Sequence, residues 1–223
     1  MSDAYPQVAE DALSGTALQE IGRTEDTVFR TPTAAVTGHT LVYDDAALSD
    51  ALAAAGAEEV LAGVAEAGGD WLVDVDDAPA TSLWRFAFAT RLSFSPPLAP
   101  GVGPASMLPT VRTEARRSFA DELGDRGAVD VERGRSQRMR TEAGDRARLV
   151  KYTGQIPLQA DHAFDVEAWL AVWAPDTTFR IAGGAYPTRG LDALLDSLPD
   201  DERPETNPRV FRDDLLAFIR GVA

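Results

Sequence analysis

Residues 129–140 and 146–156 read as two strands separated by Glu142, Ala143, Gly144 and Asp145, a stretch with the composition of a tight turn. Residues 166–173 and 178–183 repeat the arrangement and turn at Pro175 and Asp176. No other feature of this chain leaves so few folds open. A connection of a few residues joins antiparallel neighbours, whereas a parallel return needs a crossover of about a dozen residues or more. The expectation is an α+β fold: an antiparallel sheet built of hairpins and covered by helices.

The remaining elements fit between these pairs. Short strands are expected at 17–23, 27–31 and 40–43, with Pro32 and Gly38 as breaks. Asp44 or Asp45 caps a helix bearing Leu48, Leu52 and Ala55. A second short helix runs from Val60 or Leu61 through Val64 to Gly68 and Gly69. Residues 84–94 alternate aromatic and small side chains as a strand does, and Pro96, Pro97, Pro100 and Pro104 bar further pairing. A helix opening at Ser106 or Thr110 carries the stripe Leu108, Val111, Ala115, Phe119 and Leu123, and Gly124 or Gly127 ends it. Leu191, Leu194, Leu195 and Leu198 mark a short helix. Asn207 and Pro208 then start a last one, with Phe211, Leu215, Phe218, Ile219 and Val222 on its buried face. Residues 1–16 read as a flexible tail and 17–223 as a single domain, with an acidic part at 17–83 and the remainder at 84–223.

Composition adds a setting. The net charge is −15, and Lys151 is the only lysine beside 20 arginines. Compact carboxylates with few lysine stems suit a surface hydrated in concentrated salt, where the Debye length shrinks to roughly 3 Å at 1 M. The expectation is a halophilic, acidic protein of the haloarchaeal type. With no cysteine, thiol nucleophiles, disulfides and zinc-thiolate sites are excluded. Residues 1–6 lack a basic or apolar leader pattern, and no apolar run approaches about 18 residues, so a soluble cytoplasmic protein without membrane association is expected.

The stretch Leu92, Ser93, Phe94, Ser95, Pro96, Pro97, the helix at 112–123, the segment from Gly144 to Tyr152 and the helix at 211–222 follow one another in a familiar order. That order of elements resembles the Mog1/PsbP-like α/β/α sandwich, an antiparallel sheet with helices on both faces. The resemblance spans 84–223 and implies binding or adaptor roles. It supplies no catalytic residue, and a fold alone does not set function.

Charge is unevenly distributed: residues 1–84 carry a net −14, residues 85–150 a net +4, and residues 151–223 a net −5. If the turn at Glu142 closes with five residues in its loop, Arg140 faces Arg146 and Arg138 faces Arg148 on one side of the sheet. Like charges in such positions call for a counter-charge. It is either an anionic ligand or partner, with Arg133, Arg135 and Lys151 nearby, or an internal one from the acidic N-terminal part, Asp130, Glu132 or Asp145.

Other constellations are weaker. The loop at 101–106 lacks the lysine and hydroxyl of a phosphate-binding loop. His39 and His162 are the only histidines, and neither Asp161, His162 and Asp165 nor Asp70, Asp74, Asp76 and Asp77 has the spacing of a known metal motif. No nucleophile elbow is present. Trp169 and Trp173 share a strand face and read as core. The expected function is a non-catalytic binding or protein-interaction module, with no cofactor and no metal, whose arginine hairpin meets a protein partner or a small anionic ligand. Nucleic acid is disfavoured by the net charge and by the loss of phosphate contacts in high salt. The alternative is a small-molecule hydrolase using a carboxylate pair or His162.

Overall fold

The computed structural model describes residues 4–30, 34–55, 84–97, 104–157, 163–175, 178–204 and 206–223. Among them lie seven strands: β1 Leu18–Arg30, β2 Ala35–Asp45, β3 Phe86–Ser95, β4 Val129–Arg140, β5 Arg146–Pro157, β6 Ala163–Trp173 and β7 Phe179–Arg189. They form one sheet in the order β1-β2-β3-β7-β6-β5-β4, and every neighbouring pair is antiparallel. The described helices are α1 Glu10–Leu13, α2 Ala46–Ala54, α3 Pro104–Asp125, α4 Leu191–Leu195 and α5 Pro208–Arg220. This is the α+β class that the hairpins predict.

The strand order explains where the helices go. Counting directions across the sheet, β3 and β4 point the same way with β7, β6 and β5 between them. Two such strands require a crossover, which α3 supplies by lying over one face. Its Val111, Ala115, Phe119 and Leu123 are buried, with the Phe119 ring 5.7 Å from Phe88 and 5.4 Å from Tyr152. On the opposite face α5 buries Phe211, Leu215, Phe218 and Ile219, and Phe218 meets Tyr43 edge to face at 5.0 Å. The two faces are distinct because Val42, which pairs with Phe88, and Tyr43 are successive residues of β2. Each such fully buried side chain contributes about 1.5–3 kcal/mol by leaving water.

Several local expectations are corrected. The strands expected at 17–23 and 27–31 are one strand, β1, whose irregularities at Glu20/Gly22 and Thr27/Phe29 absorb a sequence that alternates poorly. Its polar Glu25 and Asp26 sit on the sheet edge, where charge is tolerated and blocks further pairing. Gly38 is no break. It lies inside β2, where an added Cβ would come within 2.9 Å of Val28 and 3.0 Å of Thr90, so glycine is required by close packing. The strand expected to end at Gly183 runs on, and Gly183 and Gly184 lie midway along β7. A Cβ on Gly184 would fall 2.1 Å from the Phe86 carbonyl oxygen and 2.9 Å from Leu215, and one on Gly183 would crowd Phe88 at 3.0 Å. Helix α3 begins earlier than expected, at Pro104. The helix and acidic loop expected across residues 60–77 lie outside the described residues.

Residues 4–16, read from the sequence as part of a flexible tail, show no hint in their composition of the contacts they make. Gln7 and Ala223 exchange backbone hydrogen bonds of 3.2 and 2.9 Å, and Ala9 N–H donates to the Gly221 carbonyl at 2.9 Å. Helix α1 packs beside α5.

A buried ionic bracket joins the layers. Arg85 Nη1 donates to Asp45 Oδ2 at 2.7 Å, and Nη2 donates to Asp214 Oδ2 on α5. Asp45 Oδ1 also accepts from Leu48 N–H at 3.1 Å, which makes Asp45 the N-cap of α2. The guanidinium carbon of Arg85 lies 4.3 Å over the Phe211 ring. The side chains of Arg85 and Asp45 are only 6% and 5% exposed, so removing the cation would strand a desolvated carboxylate. Arg85→Met should cost about 3–5 kcal/mol in denaturant unfolding; a loss under about 1 kcal/mol would show that the bracket is dispensable.

Candidate functional site

The β4–β5 hairpin closes with residues 141–145 in its loop. Thr141 N–H donates to the Asp145 carbonyl at 3.0 Å, Asp145 N–H donates to Thr141 Oγ1 at 3.0 Å, and Gly144 takes φ +90°. The loop is also anchored from outside, since Glu142 N–H donates to the carbonyl of Arg220 at the end of α5, 2.9 Å away. In the resulting register Arg138 lies opposite Arg148 and Arg140 opposite Arg146, the pairing a five-residue loop predicts.

These four arginines share the face covered by α3. Tyr152 marks that face, because its ring packs on Phe119 and its hydroxyl donates to the Arg116 carbonyl at 3.4 Å. Arg146, Arg148 and Val150 alternate up to Tyr152 along β5, and their β4 partners are Arg140, Arg138, Ser136 and Arg133. Arg133 therefore belongs to the same face. Arg135 falls in the irregularity between Arg133 and Ser136. β4 is exposed along its length except for the half-buried Val131 and Met139.

Two arginines that sequence reading missed complete the cluster. Arg112 and Arg116 are one helical turn apart on α3, beside the buried stripe of Val111, Ala115 and Phe119. Arg112 Nε is buried and makes no hydrogen bond. Burial, and then the positive charges of Arg148 and Arg116, push the Arg112 guanidinium below its usual pKa. Among the described residues, no Asp or Glu oxygen lies within 4.0 Å of a nitrogen of Arg112, Arg116, Arg133, Arg135, Arg138, Arg140, Arg146 or Arg148. Arg140 donates to the Gly144 carbonyl at 3.1 Å. The i,i+4 position of Arg112 and Arg116 is visible in the sequence, but that α3 covers the sheet face carrying Tyr152 and Arg148 is not.

Lys151 is not part of this cluster. It alternates to the other face, where Nζ bonds Glu167 Oε2. Glu167 Oε1 accepts from the Tyr186 hydroxyl at 2.5 Å and from Trp169 Nε1 at 2.9 Å. Burial alone would raise the Glu167 pKa, but these hydrogen bonds, led by that of Lys151, hold it below the usual carboxylate range.

The described acids of β1 lie far from the arginine hairpin, and the acids at 58–77 lie outside the described residues. β1 and β4 are opposite edges of the sheet, six strand spacings of about 4.8 Å apart, well beyond a Debye length at physiological salt. Glu132 pairs with Thr153 and so points to the face of Lys151. Asp161, His162, the aspartates at 70–77 and residues 101–103 lie outside the described residues. His39 Nδ1 is 3.6 Å from Glu25 Oε2, and Trp169 and Trp173 are buried as core. Among the described residues, no group of three or more His, Cys, Asp or Glu is placed to hold a metal, and no helix is long and apolar enough to cross a membrane.

Two buried carboxylates escaped the sequence reading. Asp44, 2% exposed, accepts from Ser49 Oγ at 2.8 Å through Oδ2, while Oδ1 is buried without a partner. Glu122, 1% exposed, accepts from Arg126 Nε at 2.5 Å, and its Oε2 is likewise unpartnered. Desolvation pushes Asp44 up to about 7 and also raises Glu122. Folded Asp44 retains its proton at pH values where the unfolded chain has released it. Its contribution therefore lowers stability as pH rises from about 4 to about 7, by at most about 4 kcal/mol. Asp44→Asn should flatten the fall in stability across that window in chemical unfolding at stepped pH; an unchanged profile would show that Asp44 does not drive it.

No curated protein and no solved structure matches the chain. A family model described as Domain of unknown function (DUF6517) matches residues 5–223, and the chain belongs to that family.

Proposed function

We propose that this chain is a non-catalytic binding or protein-interaction module whose arginine hairpin contacts an acidic partner or an anionic ligand. One observation carries the reading: Arg138 with Arg148 and Arg140 with Arg146 oppose like charges, and no described carboxylate lies within ion-pair reach of any of them. Such pairs weaken a strand pairing, and a bound anion relieves them. The working environment in this reading is a salt-rich cytoplasm, supported by the net charge of −15 and the near-absence of lysine. Helices on both faces of an antiparallel sheet support the Mog1/PsbP-like comparison and the adaptor roles it implies. Asp44 and Glu122, 2% and 1% exposed, give the hydrolase alternative no support, and His162 lies outside the described residues.

The test is Arg138→Ser with Arg148→Ser. Quantitative mass spectrometry of proteins co-purifying at native salt should show a partner of the parent chain depleted about tenfold or more, about 1.4 kcal/mol. The thermal midpoint should stay level or rise as like charges are removed. Unchanged capture overturns the reading.

A further inference from the structure

We propose that Arg112, Arg116 and Arg148 form a seat for one phosphoryl group, free or carried as a monoester on a small molecule. The proposal rests on the anion-contact reading above and names its ligand. It turns on where the cationic cluster is deepest. The hairpin arginines of β4 are exposed, whereas Arg112 and Arg116 are half-buried at the margin between α3 and the sheet. Helix α3 covers the face of the sheet on which Arg148 lies, with the Arg116 carbonyl at the level of Tyr152 and Arg112 within electrostatic reach of Arg148, two same-face positions along β5 from Tyr152. The floor between them is apolar: Val150 and Tyr152 are each 2% exposed.

Charge and geometry select the anion. Three guanidinium groups share this side of the sheet with no described acid within ion-pair distance, so one carboxylate would leave two positive charges unbalanced. A phosphoryl group carries about −1.5 to −2 charge near neutral pH and presents three strong acceptor oxygens, enough to meet forks approaching from a helix and a strand. It also supplies an acceptor beside Arg112 Nε, a donor that is buried and unused. The flanking Arg133 and Arg138, on the same face, are placed to meet whatever the phosphoryl group is attached to.

The test titrates the full chain with inorganic phosphate, glycerol phosphate and acetate at fixed ionic strength, read by calorimetry and by thermal midpoint. Phosphate or its monoester should bind and raise the midpoint, acetate should do neither, and comparison of the first two separates a free from a carried group. Arg112→Gln should weaken phosphate binding by about tenfold or more. Without phosphate its midpoint should equal or exceed that of the parent, since a desolvated cation has been removed. Arg112→Lys, which keeps charge but loses the fork, should fall between. Should Arg112→Gln fail to fold, Arg148→Gln on the exposed strand face reads the same loss. Phosphate binding no tighter than acetate, or unchanged in these variants, overturns the proposal. If that happens while Arg138→Ser with Arg148→Ser still loses its partner, the hairpin reading stands without the phosphoryl seat. If phosphate binds as expected and partner capture is unaffected, the seat stands and the partner reading falls.

Discussion

The Arg85 bracket is the contact on which the rest of the structure depends. A buried guanidinium is tolerated only when its donors are met, and here they are met by carboxylates from separate parts of the chain, Asp45 at the head of α2 and Asp214 on α5. The bracket therefore does more than join two charges. It ties the end of β2 and the start of β3 to the C-terminal helix, across the β3–β7 seam where the two halves of the sheet meet. With α5 held, its last carbonyl, on Arg220, is in place to take the Glu142 N–H, and the loop that sets the β4–β5 register is anchored. The hairpin with the opposed arginines is thus tied to the same helix that the bracket and its buried apolar face hold on the sheet.

The edges themselves are managed by charge. A bare edge strand offers unpaired backbone groups to any passing chain, and charged side chains and bulges discourage such pairing. β4 has both, with two irregularities in its pairing and four arginines along its length. Edge protection accounts for arginines on β4. It does not account for Arg112 and Arg116 on α3 or Arg148 on β5, which carry positive charge on one side of the sheet beside the buried Val150 and Tyr152. That residual, rather than the arginine count, is what points to a bound anion.

Much of the fold was legible because its signals are local. Asn207 caps α5 through an acceptor bond from Arg209 N–H of 3.0 Å with Pro208 in the first turn, as the sequence predicts. The Glu142 turn set its own loop length and so its own register. The misread positions were those where a residue serves a distant neighbour. Gly38 looks like a break and Gly183 like a strand end, yet each admits a side chain or backbone from another element. Lys151 was grouped with the arginines by proximity in the chain, and strand alternation sends it to the opposite face and to Glu167.

By itself the sequence determined the α+β class, the hairpins and the capped terminal helix, and narrowed the opposed arginines to one pairing for a five-residue loop, because turns, caps and two-residue periodicity act within a few residues. Only the tertiary structure decided that β3 pairs with β7, that β1 and β4 lie at opposite edges of the sheet, and that α3 covers the face on which Arg148 lies. Those outcomes follow from a crossover helix laid over a sheet and from burial that leaves some charges without partners, and neither is encoded within any single stretch of chain.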